Sequence, residues 1–331
     1  MEKLGVSFGG GLTPAEVVEC ASLADDLGYD SVWMSEGNGG DQFSVLTACA
    51  LATQSVRLGT SISSVYVRSA PTIAMAAACV DHFSKGRFIL GLGSSHRVQV
   101  EGQHGLAYSK PLARQLEAVE IIRRLLKDGS VTYQGNIFNI EQFDLAFTPF
   151  KPEIPIYLAA VFPKMLKLCG EVAQGVILTQ NTPKKAKEAV RLVAEGASKK
   201  GRDPSSIEVA SLIACYVTSE PASARDEVRR SLAYTCGFYP RYNRFIAESG
   251  FAEETAVIRK AWLEGDRQRA VGLVTDGMVD TFAIIGDAEE CRRRIEEHRR
   301  AGVTLPILTF RTGATRPKEQ MMETIRACAP R

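Results

Sequence analysis

The sequence predicts a single (β/α)8 barrel of the TIM type, and three observations favour this fold. Eight short runs of β-branched and aromatic residues alternate with longer stretches of helical pattern. The runs are apolar on both faces, as parallel strands are when both sides of the sheet are covered. With 331 residues, the chain is long enough for eight such units and additional insertions. A doubly wound sheet uses the same βα unit, but eight units in one chain favour closure into a barrel.

The predicted strands share an apolar run followed by small or polar residues. They begin at Leu4, Ser31, Val56, Arg87, Ile154, Gly175, Ser206 and Thr304. In the first unit, Thr13 is the predicted N-cap of a helix, Pro14 its first residue and Gly28 the left-handed residue after its end. Later helices are predicted at about 42–53, 71–84, 111–127, 163–173, 183–200 and 317–328, and one with Asp287 as its N-cap.

Two segments interrupt the alternation, and we treat residues 1–331 as one barrel domain that contains them. Residues from about 129 to 150 carry VTYQGNIFNI, in which a Gln-Gly turn between strand formers predicts a hairpin. Residues from about 221 to 277 are helical and charged, with an aromatic cluster that either covers an apolar substrate or packs the inserted helices. This aromatic cluster comprises Tyr234, Phe238, Tyr239, Tyr242 and Phe245.

Composition and charge exclude several classes of partner and site. The chain has 40 Lys and Arg against 38 Asp and Glu, so its net charge of +2 makes nucleic acid and anionic membranes improbable partners. The eight cysteines are scattered without a C-x-x-C pair, which is typical of buried thiols in a reducing compartment. The sequence has neither a signal-peptide pattern nor an apolar run long enough to span a membrane, so we expect a cytoplasmic protein.

The residues after the strands are the candidates for chemistry, because barrel enzymes work at the C-terminal ends of their strands. The residues at these positions are mostly small or hydroxyl-bearing, which favours a binding surface for a flat cofactor. The four histidines stand apart in the sequence and argue against a metal site. The motif GLGSSH fits neither the G-x-S-x-G elbow of hydrolases nor the full G-x-G-x-x-G fingerprint of dinucleotide sites.

The chain resembles the luciferase-like superfamily of flavin and deazaflavin oxidoreductases over nearly its whole length. The most specific segments are VRLGTSISSVYVRSAPTIAMAAACVDHFSKGRFILGLGSSH and IPIYLAAVFPKMLKLCGEVAQGVILTQNTP. Within the superfamily it looks closest to the branch that uses coenzyme F420, and in particular to methylenetetrahydromethanopterin reductase and its bacterial relatives. The resemblance implies a bacterial-luciferase-like barrel that forms a homodimer, and a hydride passed between the deazaflavin C5 and an organic substrate.

The resemblance also implies a set of cofactor contacts and a non-prolyl cis peptide, Ser61–Ile62, that backs the deazaflavin ring. The implied contacts are Glu36, Ser61, Ile62, Ser64, Gly93, Ser94, Ser95, Gln99, Ala159, Ala160, Val161, Lys164 and Thr179. A helix opened by Pro163 has free N–H groups that can donate to the cofactor phosphate, and Lys164 adds charge. The alternative for the strand-end residues is ordinary strand termination. For Lys164 the alternative is a solvent-exposed position on its helix.

Three departures from the family pattern leave Glu36 and His96 as the candidate catalytic residues. Gly37 replaces a histidine that commonly follows the acid after the second strand, Ser7 replaces a carboxylate on the first strand, and Phe162 replaces a glycine near the phosphate. For Glu36 we consider, in order, hydrogen bonding to the cofactor, proton transfer and capping of the glycine loop. His96 either acts at the site or packs within its loop.

The leading interpretation is an F420-dependent oxidoreductase that acts on a small organic substrate at a C=C, C=N or carbinol group. An FMN-dependent monooxygenase of the same superfamily is the first alternative. The missing histidine and first-strand acid leave a third, a non-catalytic cofactor-binding or assembly subunit. The sequence does not identify the substrate.

Overall fold

Eight parallel strands close into a barrel, which confirms the predicted fold. The structure is a computed structural model, and the residues that it describes are 2–309 and 317–330. Its strands are β1 Gly5–Phe8, β2 Ser31–Met34, β3 Arg57–Thr60, β4 Ser63–Ser64, β5 Phe88–Gly93, β6 Ser130–Gln134, β7 Asn139–Asp144, β8 Ile156–Ala159, β9 Gly175–Leu178, β10 Glu208–Val217, β11 Ala283–Gly286 and β12 Leu305–Thr309. The barrel runs β1-β2-β3-β5-β8-β9-β10-β12, and β12 pairs with β1 to close it.

Helices surround the barrel and fill the predicted insertion. They are α1 Pro14–Asp26, α2 Gln42–Ala52, α3 Ala70–Ser84, α4 Arg97–Gly102, α5 Pro111–Asp128, α6 Pro163–Val172, α7 Pro183–Lys199, α8 Pro221–Phe238, α9 Pro240–Ile246, α10 Ala252–Leu263, α11 Arg267–Gly272, α12 Asp276–Phe282, α13 Ala288–Arg300 and α14 Pro317–Ala327. The insertion comprises α8 to α11 and the start of α12. Among the described residues, no helix is both long and apolar enough to cross a membrane.

Helix starts follow the local signals in the sequence. Thr13 caps α1 through a bond from the Glu16 N–H, and the Glu16 carboxylate accepts the Thr13 N–H at 2.8 Å. Pro14 is the first helical residue, and Gly28 has a φ of 76°. Asp287 caps α13 as predicted, its carboxylate accepting the Glu290 N–H at 2.9 Å.

Bulky side chains fill the barrel interior, so the space that remains among the described residues is at the C-terminal ends of the strands. The buried interior residues are Trp33, Ile89, Tyr157, Ile177, Ala210, Leu305 and Ile307. Trp33 leaves no room beside it, because a Cβ at Gly59 would lie 2.3 Å from its ring. At the opposite end, Arg57 pairs with Asp30 and Glu208, and Glu208 accepts the Tyr157 hydroxyl at 2.6 Å. This network closes the N-terminal end of the barrel.

The hairpin is present, and two strands, the two-residue β4 and β11, were not predicted. Strands β6 and β7 pair antiparallel, and the Glu117 carboxylate accepts three N–H groups of their turn at 2.9–3.0 Å, from Asn136, Ile137 and Phe138. Strand β11 was missed because its short run AIIG lies within a longer helical pattern. It pairs with the end of β10, where Ala214–Val217 extends beyond the barrel.

Candidate functional site

Two adjoining cavities open at the C-terminal ends of the strands. One, which we call the outer groove, has a volume of about 740 Å³ and lies over β5, β8 and α9. The other, the inner cavity, has a volume of about 600 Å³ and lies over β1, β2 and β10. Residues common to both form the partition between them: Glu36, Ser61, His96, Gln99, Thr179 and Tyr242. The volume of each cavity suits an organic molecule of moderate size.

Nearly all the predicted cofactor contacts lie together in the outer groove. Its lining includes Glu36, Ser61, Ile62, Gly93, Ser94, Ser95, Gln99, Ala159, Ala160, Val161, Lys164 and Thr179. The remaining predicted contact, Ser64, is buried behind it and donates its N–H to the Glu36 carboxylate at 2.6 Å. The structure therefore brings the predicted cofactor contacts together at one site.

The Ser61–Ile62 peptide is cis and lies in a bulge between β3 and β4, as the resemblance implies. Where the bulge leaves the sheet, the Thr60 hydroxyl donates to the Gly91 carbonyl at 2.8 Å and accepts the Gly91 N–H at 2.9 Å. These bonds satisfy backbone groups of β5 where regular pairing to β3 stops. Ile62 then lies against Gly93, where an added Cβ would be only 2.5 Å from the Ile62 Cγ1.

Glu36 anchors this bulge from the end of β2. Its N–H donates to the Ile62 carbonyl at 3.3 Å, and one carboxylate oxygen accepts the Ser64 N–H. The other oxygen pairs with Arg68, which also pairs with Asp41, the N-cap of α2. Arg68 was missed by sequence reasoning, and no local pattern connects it with Glu36. Glu36 therefore holds the cis segment and the start of α2 in one charged network.

Ser7, at the end of β1, is connected to the same bulge. Its hydroxyl lies 3.1 Å from the Ser61 hydroxyl, and both side chains are buried. The two hydroxyls supply hydrogen-bonding capacity without charge at the position where the resemblance leads us to expect a carboxylate. Among the described residues, no three His, Cys, Asp or Glu side chains are grouped so that they could hold a metal ion.

His96 lies in the partition between the cavities, packed against two tyrosines of the insertion. Its ring centre is 4.4 Å from that of Tyr239 and 4.3 Å from that of Tyr242. Burial, with a contribution from the Arg241 charge, lowers the pKa of His96 to about 4. Its Nδ1 is buried and has no hydrogen-bond partner among the described residues. At neutral pH, His96 is thus a neutral imidazole with an unused polar atom, and its packing partners are the tyrosines of the insertion.

We expect the protein to lose stability as the pH falls from about 6.5 to about 4. The pKa of His96 is about 4 in the folded protein, whereas an exposed histidine, as in the unfolded chain, has a pKa of 6.5. Over this pH interval the unfolded chain binds more protons than the folded protein does, so acidification favours unfolding. His298, whose pKa burial also lowers to about 4, contributes in the same direction. Urea unfolding across this pH range measures the effect, which His96→Gln should reduce. A His96 imidazole that titrates near 6.5 by NMR would contradict the assignment.

A basic rim borders the outer groove, formed by Lys164 of α6 and by Arg241 and Arg244 of α9. Arg241 donates to the Tyr108 hydroxyl at 2.7 Å, and Arg244 pairs with Glu248 at 2.7 Å. Helix α6 begins without a side-chain cap. The Met165 and Leu166 N–H groups donate to the Phe162 carbonyl, so among the described residues of its first turn the Lys164 N–H is the one available to an anion. Sequence reasoning found Lys164 but missed both arginines. Their spacing of three residues on one helix was the available signal.

Comparisons with known proteins agree with this arrangement. A model of the family described as luciferase-like monooxygenase matches residues 3–305. A 5,10-methylenetetrahydromethanopterin reductase of Methanolobus tindarius is 32% identical over 320 residues, with 95% of this chain and 97% of that protein covered. The same enzyme of Archaeoglobus fulgidus is 31% identical over 322 residues, with 96% of each covered. The structure of a coenzyme F420-dependent tetrahydromethanopterin reductase from Methanopyrus kandleri matches with a TM-score of 0.86 at 26% identity, covering 99% of this chain and 98% of that one.

Proposed function

The chain belongs to the luciferase-like monooxygenase family, and from this premise we propose that it is a coenzyme F420-dependent oxidoreductase acting on a small organic substrate. The observation that carries the proposal is the outer groove, in which a floor of mostly small and apolar residues around the cis peptide adjoins a basic rim. We further propose that the reaction is hydride transfer to or from a C=C, C=N or carbinol group.

The residues of the outer groove fit the two ends of this cofactor. The floor around Ile62 and Gly93 carries no charge and suits a flat ring, since Gly93 leaves space for the Ile62 side chain against the strand. The rim suits the anionic end, because F420 carries a phosphate and a lactyl-polyglutamate tail. Lys164, Arg241, Arg244 and the first turn of α6 would hold those groups.

The cofactor, when bound, supplies the hydride chemistry at its C5, and the protein supplies position and environment. Ile62 and Ser61, held by the anchored bulge, would support the ring from the strand side. The inner cavity would receive the substrate on the other side of the partition. There, neutral His96 would offer a hydrogen bond without introducing charge. Tyr239, which precedes α9, and Tyr242, within α9, would exclude water.

A cofactor titration tests the proposal directly. Purified protein should change the fluorescence of F420 with a dissociation constant of about 1 μM or lower, corresponding to roughly 8 kcal/mol of binding free energy. FMN, which ends in a single phosphate, should bind more weakly because it lacks the anionic tail. Tighter binding of FMN would favour the monooxygenase alternative, and binding of neither would favour a non-catalytic subunit.

We expect the double substitution Lys164→Ala and Arg244→Ala to weaken F420 binding about tenfold, by removing two exposed charges from the rim. The loss should shrink at high salt, where such charges are screened. Lys187→Ala, which removes an exposed lysine of α7, is the matched control and should leave the affinity unchanged. Equal affinities for both variants would show that the rim does not bind the tail.

We also propose a cytoplasmic homodimer, as the resemblance implies. All eight cysteines are free thiols, which supports a reducing compartment. Helices α2 and α3 pack together and expose Leu51, Met75 and Phe83, which offer apolar surface for a second copy. Analytical ultracentrifugation distinguishes a dimer from a monomer.

A further inference from the structure

The barrel wall has an opening beside β10, which we call the wall gap. Strand β10 pairs with β9 and, further along, with β11. Ala210 lies opposite residues of both β9 and β12, and Ala214 lies opposite residues of both β11 and β12. Because a strand has one neighbour on each side, β9 and β11 lie on the same side of β10. Pairing with β9 ends at Ser211, so among the described residues Leu212 and Ile213 have no neighbouring strand on that side.

The inner cavity continues through the wall gap to helix α13. Leu212 packs with the barrel interior and Ile213 with the core between the barrel and its helices, and both line the cavity. Helix α13 packs against β10, β11 and β12 from outside and contributes Arg294 and His298 to the lining. We call the part of the inner cavity between the wall gap and α13 the side arm.

Arg294 brings a positive charge to the side arm that no described carboxylate pairs with. Its Nη2 donates to the Asp280 carbonyl at 2.5 Å, which holds the guanidinium beside the start of β11. The acidic neighbours Glu290 and Glu297, on the same helix, pair with Arg293 instead. The remaining N–H groups of Arg294 can therefore bind an oxyanion, in the bidentate geometry that a guanidinium favours.

His298 lies one helical turn beyond Arg294, on the same face of α13. It is 6% exposed, and its Nδ1 has no hydrogen-bond partner in the part of the chain that the structure describes. Burial and the Arg294 charge lower the pKa of His298 to about 4, against a smaller opposing effect of Glu297. The imidazole is neutral at pH 7 and can donate an N–H. On the β9 side of the cavity, the Asn181 Nδ2 is likewise buried without a described partner.

Buried polar groups are ordinarily hydrogen-bonded, so this set of unused donors around one cavity points to a ligand. We propose that the side arm binds an oxyanion of the substrate, a carboxylate or a phosphate, and that the substrate is therefore an anionic organic molecule. The inference rests on the proposed function for the reacting end of the substrate. A neutral analogue would leave Arg294 and His298 without their partner, which is the kind of contact that gives strong selectivity.

The NMR signal of His298 reports on the side arm directly. The chain has four histidines, and His298→Gln identifies the signal in protein with isotope-labelled histidine. Inorganic phosphate or propionate, added to the full chain, should shift this signal with a dissociation constant in the millimolar range. Propionamide, the uncharged analogue of propionate, should not. The stronger of the two anions distinguishes a phosphate from a carboxylate as the natural group.

Arg294→Gln should weaken binding of the effective anion about tenfold, and Arg294→Lys, which keeps the charge without the bidentate geometry, should weaken it less. Arg300→Gln is the matched control. It removes the same charge from the same helix, but its side chain is 76% exposed and outside the cavity lining, so the affinity should equal that of the wild type. Melting curves verify that each variant folds.

Repeating the titration with F420 present separates this inference from the proposed function. F420 bound without any response of His298 to either anion would overturn the inference alone. A response of His298 in protein that does not bind F420 would overturn the proposed function but support the anion site. On wild-type protein, an equal response to propionamide would overturn the inference, as would equal anion affinity in a folded Arg294→Gln variant.

Discussion

Replacing Glu36 with glutamine should weaken F420 binding about tenfold or more, the largest functional effect that we expect from one substitution. Both carboxylate oxygens accept from donors, one from the Ser64 N–H and the other from Arg68. An amide has one acceptor, so its NH2 group must face a donor on one side. The cis bulge then loses an anchor, and Ser61 and Ile62 lose their fixed position in the groove.

Asp41→Asn is the matched control for this experiment. It removes the second carboxylate paired with Arg68 but retains a side-chain oxygen to cap α2, and it leaves the Glu36–Ser64 bond in place. Fluorescence titration of F420, with melting curves to verify folding, should show near-wild-type affinity for this variant. Equal affinity losses in both variants would assign the effect to Arg68 rather than to the bulge.

The Glu36→Gln variant also separates the roles considered for Glu36. If Glu36 only anchors the bulge, the pH dependence of kcat at saturating cofactor should keep its shape in Glu36→Gln. If Glu36 transfers the proton, kcat should fall steeply with unchanged cofactor affinity. The hydrogen-bond network favours the anchoring role, which was not among the three roles considered from the sequence.

Gly91→Ala should cost about 4 kcal/mol or more of unfolding free energy, the largest stability effect that we expect. An added Cβ would lie 1.8 Å from the Thr60 carbonyl oxygen and 2.9 Å from the Ile177 Cδ1. The first contact is with backbone, which cannot move without breaking the hydrogen bonds between Thr60 and Gly91. Urea unfolding measures the loss.

Gly102→Ala, in the short helix α4, is the control for the loss of glycine itself. Nothing lies within 4 Å of a Cβ at this position, and helix propensity favours alanine by about 1 kcal/mol. Its stability should therefore equal or exceed that of the wild type. Equal stability of the two alanine variants would mean that strands β3 and β5 can separate locally at Gly91.

The barrel was predictable because its signals are short-range. The Thr13 cap, the glycine after α1 and the alternation of apolar runs with helical segments each depend on a few neighbouring residues. Because parallel strands present the same end to the barrel mouth, the strand list also yielded the candidates that line the outer groove. Strand β11 was not predicted, because a run of four residues beside a capped helix has no periodicity that distinguishes a strand from a helix.

The sequence alone determined the fold, the end of the barrel that carries the site and, through resemblance, the family. Tertiary structure decided what the side chains do there. The partners of Glu36 depend on a cis bulge that returns Ser64 and Arg68 to the end of β2, and the pKa of His96 depends on desolvation by Tyr239 and Tyr242. Hydrogen bonding and desolvation depend on distance in space. Because these contacts join residues far apart in the chain, the tertiary structure decides them.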